Sequence, residues 1–276
     1  FIFYILFHKI LTFVHGIVKQ NVMRRIRRNL QNLPKEEQNL LIFILDTEWM
    51  YFTISDLRTN LDLEVKDLQN AIENLASKGF INRIEKGKYC FPAFRNEFVI
   101  GNILMPKGAI AYWSALHWYN LTEQIPNTIF IQTPKAKRET EVFNVRYKFI
   151  KVKFSKFDGI ITKGYGQEKF NITELEKTIL DCFDLPKYAP SFVGLIEAVA
   201  NAEIDEDKLI KYSKIINNIS AIKRLAVITE IIHGNRFKKF LTFALKKVNP
   251  RYINIDPFGL DEGEFCKKWR IRMNMT

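Results

Sequence analysis

The chain has 276 residues, with 42 Lys and Arg against 30 Asp and Glu, and is 47% hydrophobic and 26% charged. That is longer than one ordinary domain, and there is enough apolar material for packed cores, which excludes a chain disordered over long stretches. A net charge of +12 favours a polyanionic partner, nucleic acid before an acidic membrane surface.

The first 18 residues, Phe1 to Val18, are apolar and broken by His8, Lys9 and His15, and Arg24, Arg25, Arg27 and Arg28 follow. Literally read, this is a marginal membrane span with a positive flank. We expect instead that the natural start is Met23, with a translated extension before it, or that these residues form an accessory helix packed on the body. Residues 1–32 are set apart as an N-terminal extension, and no membrane partner is expected.

From Leu33 the pattern is helical. Pro34 sits where a first helical residue belongs, Glu36 and Glu37 follow in the first turn, and an apolar run continues to a helix end near Asp46. A short helix follows Thr53, with Ile54, Leu57 and Leu61 on one face and Thr53 or Ser55 as its cap. A third helix over 64–78 carries Val65, Leu68, Ile72 and Leu75 on one stripe and stops at Gly79. Two short strands around Lys86-Gly87-Lys88 then make a hairpin.

Three helices and a hairpin within about sixty residues are the order of a winged helix-turn-helix, placed at 33–95. With its aliphatic stripe held by the domain, the third helix would turn Lys66, Gln69, Asn70 and Asn74 to a DNA major groove. Gln and Asn pair bidentately with adenine, and Lys meets guanine or phosphate. Lys86 and Lys88 at the hairpin tip suit phosphate or minor-groove contacts. Charge argues less strongly: from Met23 to Ile100 twelve bases face eleven acids, a net +1. Acids at the start of the reading helix, Glu64 and Asp67, would repel phosphate. A winged helix that docks a protein is the competing reading.

Pro92 and Arg95-Asn96-Glu97 mark a boundary, and a mixed α+β domain is expected over 101–276. Gly108 to Tyr119 reads as an aromatic helix, and Thr128 to Thr133 as a strand. A long strand follows, whose apolar phase switches near Phe149 and predicts a β-bulge there. Thr173 and Glu176 have capping-box spacing, and Ser191, Asp205 and Ser220 signal three further helix starts. A basic helix over 236–247 and strands in the tail complete the pattern.

Basic residues cluster between Phe130 and Tyr165, where nine bases face three acids. Lys135, Lys137 and Arg138 lie in a loop, while Arg146, Lys148, Lys151 and Lys153 alternate with apolar residues and are expected on one solvated sheet face. That face is either plain soluble surface or a nucleic-acid contact, one that extends a DNA footprint or, in the competing reading of a protein-docking adaptor, touches RNA. No catalytic set emerges: Ser114 and His117 lie three apart on one helix, without a third group to orient them. Asp181 and Asp184 lack a partner carboxylate or metal ligand. Cys90, Cys182 and Cys266 are isolated and read as reduced thiols of a cytoplasmic protein. No metal or cofactor is expected.

Several elements recur together in one known family. They are Gly79-Phe80-Ile81 through Gly87-Lys88-Tyr89, Ser114-Ala115-Leu116-His117 and Leu121-Thr122-Glu123-Gln124-Ile125-Pro126, then Glu176-Lys177-Thr178-Ile179-Leu180-Asp181 and the closing Lys268-Trp269-Arg270-Ile271. From about Leu33 onward the chain resembles the AbiE-type antitoxins, the regulator half of type IV toxin–antitoxin (abortive infection) systems. The first 22 residues have no counterpart there. The resemblance implies a non-enzymatic repressor that binds its own operator DNA through the winged helix. It also implies a second domain that counters a nucleotidyltransferase-like toxin without a stable complex.

Overall fold

The computed structural model describes residues 30–47, 49–61 and 65–275. The extension before Leu30, with its four arginines, and Glu64 lie outside the described residues. The chain is mixed α+β and divides into two compact units, one built from residues up to 96 with 165–168, the other from 97–164 and 169 onward.

The first unit runs α1 (Lys35–Asp46), β1 (Tyr51–Thr53), α2 (Ile54–Asn60), α3 (Val65–Ser77), β2 (Asn82–Glu85) and β3 (Lys88–Cys90). Pro34 caps α1 with an extended backbone, φ −54° and ψ 149°, so it stands just before the helix rather than inside it. Thr53 starts α2 through a complete capping box: its hydroxyl accepts the Asp56 N–H, and the Asp56 carboxylate accepts the Thr53 N–H. Leu40, Leu41, Ile44, Leu57, Leu68, Ile72 and Leu75 are buried in one apolar core with Phe52 and Ile81. The Val65 side chain, expected on the same stripe, lies outside the description. Gly79 turns the chain out of α3 at φ +75°, a conformation that suits glycine. The hairpin is as expected, but β1 is an addition. It pairs antiparallel with β3 and closes a sheet of order β1-β3-β2.

The second unit begins with α4 (Glu97–Leu104), an apolar helix that the sequence pattern does not announce. The expected helix from Gly108 starts only at Tyr112. Ala109–Ile110 form β4, and α5 spans Tyr112–Trp118. Next come β5 (Thr128–Thr133), β6 (Thr140–Val142), β7 (Val145–Lys151), β8 (Ile160–Lys163) and β9 (Phe170–Thr173). They form a six-stranded sheet, β6-β7-β5-β4-β9-β8. The expected long strand is a hairpin, β6 to β7, turning through Phe143 and Asn144 at φ 52° and 65°. No bulge interrupts β7, whose parallel register with β5 runs unbroken from Arg146 to Lys151. The apolar phase switches because the sheet is covered on both faces. On one, Gly101 of α4 meets Ile110, Ile131 and Tyr147; on the other, Phe130 and Ile150 join the main helical core.

That core gathers α6 (Leu175–Asp184), α7 (Phe192–Asn201), α8 (Glu206–Ile216), α9 (Ile219–His233) and α10 (Lys238–Leu245). Ser191 and Asp205 cap α7 and α8 as expected, while α9 is capped by Asn218 rather than Ser220. The Thr173–Glu176 capping box does not form. Thr173 ends β9 and pairs with the Thr178 hydroxyl, and Glu176 accepts the Asp205 N–H at 2.9 Å. A small tail sheet, β10 (Ile253–Asn254), β11 (Glu264–Cys266) and β12 (Ile271–Met273), has the order β10-β12-β11. Among the described residues no helix is long and apolar enough to cross a membrane.

Candidate nucleic-acid interface

With Leu68, Ala71, Ile72 and Leu75 buried, the 100° helical step leaves Lys66, Asn70, Glu73 and Ser77 on the outward face of α3, all exposed. Gln69 lies on its flank, half-buried. Glu73 sits in the middle of this face, a residue that a search for hydrogen-bond donors passes over. It is an acceptor, which suits a cytosine amino group and repels a phosphate.

Asn74 is also exposed, but its amide is engaged. Its Nδ2 donates to Glu37 Oε1 at 3.0 Å, and Lys78 Nζ holds the other oxygen at 2.6 Å. Glu37 is only 4% exposed on α1, so Lys78 neutralises a buried carboxylate, Asn74 satisfies its other oxygen, and the two fasten α3 to α1. Asn74 is thus removed from the free reading set. Nothing local in the sequence reveals this, because its partner lies 37 residues away.

At the hairpin tip Gly87 has φ +78°, and its carbonyl accepts the Ile54 N–H at the start of α2 at 3.1 Å. The turn is tethered. Lys86 is exposed beside it; Lys88 is half-buried and bound to Glu85 at 3.0 Å. Of the two tip lysines, Lys86 is the more accessible to a phosphate.

In the second unit the expected single basic face divides. The unbroken register puts Arg146 and Lys148 on the face of Phe130, and Lys151 on the opposite one with Tyr147 and Phe149. Arg146 and Lys148 share Glu139 at 3.4 and 3.9 Å, and Lys148 also lies over the Tyr188 ring. Lys137 donates to the Leu104 carbonyl at 2.7 Å, satisfying the end of α4, and lies over Phe149. Lys135, Arg138, Lys151 and Lys153 are exposed.

Beneath this surface is a buried polar network with no signature in the sequence pattern. Lys177 and Asp181, one turn apart on α6, are 0% and 2% exposed and pair at 2.6 Å. Gln132 of β5 donates to Asp181 at 3.0 Å and to the Tyr112 hydroxyl at 3.1 Å, and accepts from Lys177 at 3.3 Å. Burial pushes the Asp181 carboxyl up against the pull of Lys177. Every heteroatom in this network has a partner within it, and the network ties β5, α5 and α6 together. His117 is half-buried, and its Nδ1 has no partner among the described residues; burial raises the nearby Glu97 carboxyl, which His117 partly offsets.

A solved structure shares this architecture: the crystal structure of RV2827C protein from Mycobacterium tuberculosis. The likeness has a TM-score of 0.63 and covers 87% of this chain and 91% of that one, at 13% identity. The shared property is the fold. No family model and no curated relative matches the sequence.

Proposed function

We propose that the first unit is a winged helix-turn-helix, with α3 as its reading helix and the β2–β3 hairpin as its wing, and that it binds operator DNA. The carrying observation is that α3 buries Leu68, Ile72 and Leu75 completely and turns Lys66 and Asn70 to solvent on the other side. Gln69 reaches the groove from the flank, and Lys86 supplies the wing's phosphate contact. The resemblance to AbiE-type antitoxins extends this to a transcriptional autoregulator, paired functionally with a nucleotidyltransferase-like toxin and acting in the cytoplasm without catalysis of its own.

The test is a mobility shift on the chain's own upstream region across a salt series. Asn70→Ala is expected to relax preference at one base pair by about 1–3 kcal/mol. Lys86→Glu is expected to weaken all sequences alike and to flatten the salt dependence. If both variants bind as the parent does, α3 and the hairpin are not the reading surface.

The near-neutral charge of this region, with Glu73 centred on α3, favours a second reading, a protein-docking winged helix. A stoichiometric protein partner captured without specific promoter binding would establish it.

A further inference from the structure

One concavity of the second unit serves none of the roles above. It is a groove of about 630 Å³ with Lys153, Ser155 and Lys156 on one wall and Lys214, Asn217 and Ser220 on the other. Three lysines therefore line one space, with the Lys214 ammonium lying over the Phe243 ring at 5.9 Å. Lys156 is partly neutralised by Asp184 at 2.7 Å, and Asp184 also accepts from Asn218 at 2.8 Å. Neither Lys153 nor Lys214 has a carboxylate partner among the described residues, and both are exposed, so the groove keeps net positive charge.

The start of α9 does not supply the binding groups. Asn218 Oδ1 already accepts the N–H groups of Ser220 and Ala221. What would hold an anion here is the lysines, with the Ser155 and Ser220 hydroxyls and the Asn217 amide as neutral donors. Asn217 is carried to the rim by a left-handed backbone, φ 48°.

A second feature narrows the ligand. Phe154, between Lys153 and Ser155 in the short 3-10 turn Phe154–Lys156, is 82% exposed. A lone exposed apolar side chain needs no explanation. An exposed aromatic that stands beside the groove without lining it, next to Lys153 and two residues before Lys156, is a different case, because base stacking and phosphate neutralisation are the two contacts by which single strands are held. A carboxylate metabolite would use the lysines and leave the ring idle. A duplex keeps its bases stacked on each other and cannot offer one to Phe154.

We propose that this groove binds single-stranded nucleic acid, one phosphodiester between Lys153, Lys156 and Lys214 and the adjoining base on Phe154. It is separate from the duplex-reading role of α3 and stands or falls independently of it.

The experiment is fluorescence anisotropy of the full chain with a short labelled oligouridylate. Phe154→Ala is expected to weaken binding about tenfold. Lys214→Ala is expected to lower the slope of log affinity against log salt by roughly 0.7, the value for one lost contact to a single strand. Both side chains are exposed, and an unchanged thermal transition verifies the fold. Promoter-duplex binding by the same variants is expected to match the parent, which separates this site from the first unit. Parent-like binding of the oligouridylate by Phe154→Ala would overturn the proposal, as would an unchanged salt slope for Lys214→Ala. Displacement of the probe by free UMP as readily as by unlabelled strand would make this a mononucleotide site and overturn the strand assignment.

Discussion

The two units solve the problem of polar groups in opposite ways. The first keeps its core apolar and lets one charge, Glu37, reach the interior, met there by Asn74 and Lys78. The second buries a complete ion pair, Lys177–Asp181, and wraps it with Gln132 and Tyr112. A buried pair gains little over well-packed apolar groups, yet removing one partner strands the other charge. The first unit's interior therefore tolerates single changes of polar contact more readily, whereas the second unit carries, besides its apolar core, a network in which four side chains must agree.

The largest expected effect follows from that concentration. Lys177→Met leaves the buried Asp181 carboxyl without its partner, so that it either stays charged or takes up a proton at a cost, and we expect a loss of about 3–5 kcal/mol in the second unit's denaturant transition. The double variant Lys177→Met with Asp181→Leu is expected to recover most of it. A double variant no more stable than the single one would show that the network's geometry, not the stranded charge, sets the cost. In the first unit, Ile72→Ala is expected to cost about 2–4 kcal/mol through the cavity it leaves, read as an earlier first transition with the second unchanged. Lys78→Ala should cost less, about 1–2 kcal/mol, because Lys78 is 40% exposed and Asn74 still serves Glu37. It should leave operator preference unaltered; a changed preference would return the Glu37 clamp to the reading surface.

The smallest effect is one of pH. Burial raises the Glu230 carboxyl, but hydrogen bonds from Lys268 and from Trp269, the latter at 2.7 Å, outweigh it and hold the group below the usual glutamate range. A carboxyl lowered in the folded state contributes stability above its unfolded value of 4.5 that is lost as pH falls through the folded one. We expect Glu230→Gln to flatten the acid limb of the second unit's stability below about pH 4.5. An unchanged limb would show that the tail anchor through Trp269 does not depend on this charge.

The same contrast explains which elements are legible in the sequence. Those of the first unit are, because each helix has one wet and one dry side, so Leu68, Ile72 and Leu75 announce their period. β1 is hidden because three residues, Tyr51–Thr53, are too short to show alternation. In the second unit, strands covered on both faces lose the polar half of their pattern. Ala109–Ile110 accordingly merge with the helix beyond them, and Phe149–Ile150 mimic a bulge. Thr173 and Glu176 have capping spacing, but Thr173 pairs with Thr178 inside the helix and Glu176 with the distant Asp205 amide. On the candidate surface, Lys66 and Asn70 follow from periodicity alone. Glu73 follows from the same periodicity, but the engagement of Asn74 and the groove beside Phe154 depend on residues brought together from far along the chain.

The bond from the Ile54 amide to the Gly87 carbonyl has a mechanical consequence. It ties the backbone at the tip of the hairpin to the head of α2, so that the tip backbone swings outward only by breaking this bond. For a duplex docked as proposed, an ill-fitting backbone spacing would have to be corrected by bending the DNA, and stiff and pliant operators of equal base content would then be told apart.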